Sequence, residues 1–149
     1  MAEHALALVL ACMRELPEKS RAALWQPERT GLSLFGRHIL LVGAGGVAQA
    51  FIDLVQPFSP EITVVRRDAS RPVAGATRTV GPEDWREGLG SVDAVVLAAA
   101  HTAGTAALFG ADECEALPEH AVVVNVARGA LIDTNALADA LQSGSIKGA

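Results

Sequence analysis

Three short stretches of this 149-residue chain carry the residue types best suited to chemistry. The first is Gly43-Ala44-Gly45-Gly46-Val47-Ala48, a G-x-G-x-x-A. Gly43 permits a tight strand-to-helix turn. Gly45, lacking a side chain, lets a pyrophosphate approach the backbone, and the small Ala48 lets a helix lie close to a sheet. Ala44, Gly46 and Val47 complete the turn, where the helix start offers free N–H groups and the positive end of its dipole. Glycine turns are common, but this one follows the strand-like run His38–Val42 and precedes a helix and a second strand. That context points to a dinucleotide; the alternative is a purely structural turn.

The second stretch is Val65-Arg66-Arg67-Asp68, ending the second strand-like run. Arg66 falls roughly 20 residues beyond the glycine turn, where an NAD site carries an acid for the adenine ribose hydroxyls. Two guanidiniums there suit a 2′-phosphate, which accepts charge-assisted, bidentate hydrogen bonds. The preference is therefore NADP, with Arg71 adding to the field. NAD stays possible, because Asp68 is close enough to serve the ribose if the strand end shifts. Arginines merely solvated at a strand edge are the third reading. The pair also weighs against an S-adenosylmethionine site, which usually wants an acid at this place.

The third stretch is Asn125–Asp133 (NVARGALID). Arg128 lies just past the carboxyl end of a buried strand, where open α/β sheets bind ligands. A fixed guanidinium there can hold a carboxylate in a fork and polarise a neighbouring carbonyl. His101 follows the run Ala94–Ala98 and faces the same crevice, so an acid–base role is conceivable; an ordinary loop residue or a cofactor neighbour is the plainer reading. His4, His38 and His120 have no constellation around them. Cys12 and Cys114 have no metal-ligand spacing, Cys12 reads as core, and Cys114 has no histidine nearby in sequence.

These residues need a sheet to align them. The chain is 50% hydrophobic and only 4% aromatic, with no Tyr, so its core must be Ala, Val, Leu and Ile. That suits a parallel sheet buried on both faces. The strand-like runs are His38–Val42, Ile62–Val65, a weak Thr77–Val80, Ala94–Ala98 and Ala121–Val126. Helix candidates lie between them at 46–56, 82–88, about 111–117 and 134–142. Pro82 sits where a first helical residue would be, Asp133 or Thr134 can cap the last helix, and Gly144 can close it. The alternation gives a Rossmann-type, doubly wound parallel sheet in three α/β/α layers. Residues 1–31 read as a lead-in helix and connector, and 32–149 as the dinucleotide-binding domain. Ile146–Ala149 falls where a sixth strand should start, which suggests a fragment cut inside a larger fold.

The lead-in helix is expected over 2–16, with Pro17 starting its exit. Ala2, Ala5, Leu6, Val9, Met13 and Leu16 form one stripe, which Leu8, Leu10 and Cys12 extend nearly all round. Such a helix is buried or sits at an interface. The segment carries Glu3 and lacks the basic n-region of a signal peptide, and its apolar run is too short to span a bilayer. A cytoplasmic protein without membrane contact is expected. The net charge of −5 argues against a nucleic-acid binder.

With these pieces together, the chain resembles the NAD(P)-binding domain of the D-isomer-specific 2-hydroxyacid dehydrogenases from end to end. Residues 2–8 (AEHALAL) look like the family's long helix, and His38–Ala48 like its nucleotide turn. Val92–Thr105 (VDAVVLAAAHTAGT) looks like its fourth strand and cofactor loop, and Asn125–Asp133 like its Asn-x-x-Arg-Gly segment. The resemblance implies that Arg128 holds and polarises a 2-oxo acid. It implies that the backbone of Val126 and Ala127 lines the nicotinamide side, and that Ala100, His101, Thr102 and Thr105 form the cofactor loop. The family usually has proline at Ala100. Its catalytic histidine and paired glutamate, and its substrate domain, belong to segments not in this chain. The implied parent protein is a reductase of a small 2-oxo acid to a D-2-hydroxy acid, dimeric through helix 2–16. The chain alone is expected to bind cofactor weakly and catalyse nothing. A non-catalytic nucleotide sensor or corepressor of the same fold, and another Rossmann reductase, stay open.

Overall fold

Every strand-like run becomes a strand in the computed structural model, which describes residues 1–25, 27 and 30–149. They are β1 (His38–Val42), β2 (Glu61–Val65), β3 (Arg78–Val80), β4 (Ala94–Leu97) and β5 (Val122–Asn125). They form one parallel sheet in the order β3-β2-β1-β4-β5. This is the order a doubly wound dinucleotide fold requires, with the strand order reversing between β1 and β4.

Successive strand residues face opposite sides of the sheet, and both sides are covered. Ile39, Leu41, Ile62, Val64, Ala94, Val96, Val122 and Val124 face α1 (Ala2–Met13) and α3 (Gly46–Val55), with Phe51 fully buried among them. Leu40, Val42, Val65, Val95, Leu97 and Val123 face the other way, toward Trp85, Phe109, α4 (Ala111–Ala116) and α5 (Thr134–Ser143). Double coverage is why the strands are continuous apolar runs. Asp133 caps α5, accepting from the N–H groups of Asn135 and Ala136. Gly144 closes it at φ 74°.

Two helix expectations need correcting. Residues 2–16 are not one helix: α1 ends at Met13, Glu15 turns left-handed at φ 56°, and α2 (Leu16–Arg21) begins. Pro17 does not end a helix but sits in the first turn of α2, where its missing N–H costs nothing. The Met13 carbonyl accepts instead from Leu32 N at 2.7 Å. Likewise 82–88 is not a helix starting at Pro82. Pro82 lies in a turn, and a 3-10 helix follows at Trp85–Ser91, where Gly88 and Gly90 lower helix propensity. Gln26, Glu28 and Arg29 of the expected connector lie outside the described residues.

The strand ends matter most for function. Val42 is level with Val65 and with Leu97, and Leu97 with Asn125. The ladder runs one residue further: Gly43 N donates to Val65 O, Ala98 N to Val42 O, Val126 N to Leu97 O and Arg66 N to Val80 O. Gly43, Arg66, Ala98 and Val126 therefore stand in one row at the carboxyl edge. At the far side of β5, Lys147 N donates to Ala121 O and Val123 N to Gly148 O, so the residues after α5 run parallel beside β5.

Candidate cofactor and substrate crevice

The glycine turn has two glycines with different reasons to be glycine. Gly43 has φ +113°, and a Cβ there would meet Ala98 O at 2.8 Å and Ala98 C and Ala99 N at 2.9 Å. Its lack of a side chain is a requirement of the fold. Gly45 caps α3 with ordinary extended backbone (φ −83°, ψ −174°), and a Cβ there would meet nothing within 4 Å. Gly46 is equally open. No side chain caps this helix, and Gly45, Gly46 and Val47 are exposed while Ala48 is buried. The uncapped donors and vacant space beside Gly45 fit a pyrophosphate. Ala44 is half-buried behind the turn.

One strand over, Arg66 is half-buried, and its Nη1 donates to the Arg71 carbonyl at 3.0 Å; Arg67 and Arg71 are exposed. Asp68 is turned to its own loop: its Oδ1 accepts from Ser70 Oγ at 2.6 Å and Ser70 N at 3.2 Å.

On the other side of β1, a crevice of about 630 Å³ opens between the loops after β4 and β5. Ala99, Ala100, His101, Ala127, Arg128, Gly129 and Ala130 line it. Thr105 shapes the first loop, its Oγ1 donating to Ala100 O and accepting from Thr102 N, both at 2.8 Å. Asn125 shapes the second. Its Oδ1 accepts from Ala127 N at 2.9 Å and its Nδ2 donates to Arg128 O at 2.8 Å. Arg128 is exposed, with Nη1 on the Ala127 carbonyl at 2.9 Å.

The fold thus brings Ala100, His101, Ala127 and Arg128 into one crevice, with Val126 at its strand end. The glycine turn and the arginine pair stand further along the same edge. From β2 to β5 is three strand spacings, about 15 Å, as befits an extended ligand. Ala99, Gly129 and Ala130 line the crevice without having been singled out, since they carry no side-chain chemistry. Asn125 has a structural role, holding the loop that carries Arg128; its spacing before Arg128, an Asx-type turn, was the available signal. Burial above all pushes the Cys12 and Cys114 thiols up, away from the reactive thiolate; Glu18 adds to the first, and Glu113 and Asp133 to the second.

Residues 6–149 match the family model described as D-isomer specific 2-hydroxyacid dehydrogenase, NAD binding domain. The chain belongs to this family. It is 31% identical to glyoxylate reductase of Pyrococcus furiosus, covering 99% of this chain and 47% of that protein. It is 30% identical to D-3-phosphoglycerate dehydrogenase of Mycobacterium leprae, covering 99% and 29%. Among solved structures, NAD-dependent formate dehydrogenase from Staphylococcus aureus in complex with NAD superposes with TM-score 0.89 at 25% identity, covering 99% of this chain and 46% of that one. An acyclic imino acid reductase in complex with NADPH and D-Arg shares the fold, with TM-score 0.85 at 24% identity and coverage of 99% and 48%. The chain spans about half or less of the length of each. No helix among the described residues of this family member is long and apolar enough to cross a membrane.

Proposed function

We propose that this chain is the cofactor-holding domain of an enzyme that transfers a hydride between NADP(H) and a small 2-oxo or D-2-hydroxy acid. The observation that carries the reading is one row at the carboxyl edge: arginines, open glycine turn, then a crevice with Arg128 at its mouth. The names of glyoxylate reductase and D-3-phosphoglycerate dehydrogenase among the relatives support the same reaction class.

Gly45, Gly46 and Val47 would hold the pyrophosphate on backbone donors, with Ala44 behind them. Arg66 and Arg67 would hold the 2′-phosphate that separates NADP from NAD. Ala100, His101 and Thr105 would flank the cofactor at β4, and Val126 and Ala127 at β5. When bound, the cofactor supplies the hydride. Arg128 would form a fork with the substrate carboxylate and polarise its carbonyl. Asn125 holds the loop so that this guanidinium starts from a fixed backbone. We place the proton donor, a histidine, on a later segment outside residues 1–149. Cys12 and Cys114 are free thiols, which suits the reducing cytoplasm. The part-buried Leu6, Leu8 and Leu10 of α1 support a homodimer through that helix; light scattering of the purified protein tests it, and a monomer refutes it.

The reaction is tested on the full-length protein, of which this chain is the proposed cofactor domain, by NADPH oxidation with glyoxylate and pyruvate. Arg128→Ala should leave NADPH binding intact and cost about tenfold to a hundredfold in kcat/KM, as loss of one charged contact predicts. Turnover unaffected by Arg128→Ala would remove the assigned role.

A further inference from the structure

The segment Arg66–Arg71 holds a carboxylate in the middle of three guanidiniums, and a carboxylate beside a phosphate site ordinarily repels its ligand. We propose that Asp68 is instead a positioning residue for 2′-phosphate recognition: it folds the turn whose carbonyl holds the Arg66 guanidinium. This rests on the NADP(H) reading above.

The contacts form a chain. Asp68 Oδ1 accepts from both the backbone N–H and the hydroxyl of Ser70, and Arg71 N donates to Asp68 O at 3.3 Å. These bonds close residues 68–71 into a turn, as short Asp and Ser side chains do when they bond their own backbone. The turn delivers the Arg71 carbonyl to Arg66 Nη1 at 3.0 Å. At the other end, Arg66 N is fixed to Val80 O at 3.0 Å. Arg66 is therefore held at its backbone by β3 and at its guanidinium by the Asp68 turn. A guanidinium has five donors, and one is engaged by Arg71. The others stay available in a preorganised fork, which lowers the ordering cost of binding. Asp68 achieves this with the oxygen an NAD site would give to ribose hydroxyls. The same acid that argued for NAD in the sequence thus serves the opposite preference.

The subsite is isolated by competition, using 2′,5′-ADP and 5′-AMP against bound NADPH on the purified protein, followed by nicotinamide fluorescence. Asp68→Ala should weaken 2′,5′-ADP about threefold to tenfold, the effect of losing a modest hydrogen-bonded support. It should leave 5′-AMP within about twofold. Asp68→Asn keeps an Oδ1 acceptor and should retain or improve 2′,5′-ADP binding. If Arg66→Ala weakens 2′,5′-ADP but Asp68→Ala does not, or tightens it, the positioning role is wrong and the NADP(H) reading stands. If Asp68→Ala and Asp68→Asn both weaken 5′-AMP, the carboxylate serves the ribose and the role is again wrong. If wild type shows no preference for 2′,5′-ADP and Arg66→Ala changes nothing, both readings fall.

Discussion

Two alanine substitutions two residues apart in the glycine turn should fail in different ways. In Gly43→Ala the new Cβ would stand 2.8–2.9 Å from the Ala98–Ala99 backbone. None of these contacts is a flexible side-chain end, so the carboxyl ends of β1 and β4 must separate, and overpacking of this kind typically costs about 1–3 kcal/mol. The φ of +113° adds backbone strain for an L-residue, about 1–3 kcal/mol more. The expected loss is about 2–6 kcal/mol, a large share of a domain's total of about 5–15 kcal/mol. In Gly45→Ala the Cβ enters empty space on ordinary backbone. Stability should stay within about 1 kcal/mol, with a small gain possible from reduced unfolded-state entropy. Cofactor binding should fall at least about tenfold, since the methyl occupies the pyrophosphate approach. Urea unfolding of both variants, with an NADPH titration of Gly45→Ala, separates the two roles. A Gly43→Ala midpoint equal to wild type would refute the fold argument. A Gly45→Ala protein that binds NADPH normally would refute the site argument.

Other predictions concern the supporting contacts. Asn125→Ala removes both hydrogen bonds of the Arg128 loop and should destabilise by about 1–2 kcal/mol, read as a urea midpoint shift; an unchanged midpoint contradicts the clamp. Asn125→Asp keeps the acceptor for Ala127 N but loses the donor to Arg128 O, so it should raise the 2-oxo acid KM while sparing NADPH affinity. Glu15 bonds Lys147 and Thr30, and these hydrogen bonds hold its carboxyl down to about 2 from an ordinary 4.5. A folded-state pKa below the unfolded one gives stability that is present above about pH 4.5 and lost as pH falls toward 2. The displacement corresponds at most to about 3 kcal/mol; with the side chain 18% exposed, screening brings the expected loss to about 1 kcal/mol. Glu15→Gln should flatten acid unfolding over this range, and an acid profile identical to wild type would remove the ion pair's role.

The sheet was legible because burial on both faces forces continuous β-branched runs, and those runs became strands to within a residue or two. The places of the glycine turn and of Arg128 were legible too, since both follow directly on strands whose ends the apolar runs mark. What escaped was local balance. Nothing in the apolar stripe of 2–16 reveals that Glu15 turns left-handed so that Pro17 can open a new helix. The sequence Pro82–Ser91 places proline where a helix could start, but its two glycines leave only a 3-10 stretch. Asp68 was ambiguous because its type suits both ribose hydroxyls and an Asx turn, and only the position of Ser70 separates them. The loop clamp made by Asn125 was not legible because its partners are backbone groups, which a pattern of side chains does not display.

The central claim is that the edge bearing Arg66, Gly45 and Arg128 holds a phosphorylated dinucleotide. It is tested most directly by titrating the purified protein with NADPH and NADH, following nicotinamide fluorescence, in wild type and Arg66→Ala. NADPH should bind about tenfold to a hundredfold more tightly than NADH, the value of a charged contact, and Arg66→Ala should abolish the difference while sparing NADH. Equal or tighter binding of NADH, unaffected by Arg66→Ala, would contradict the account.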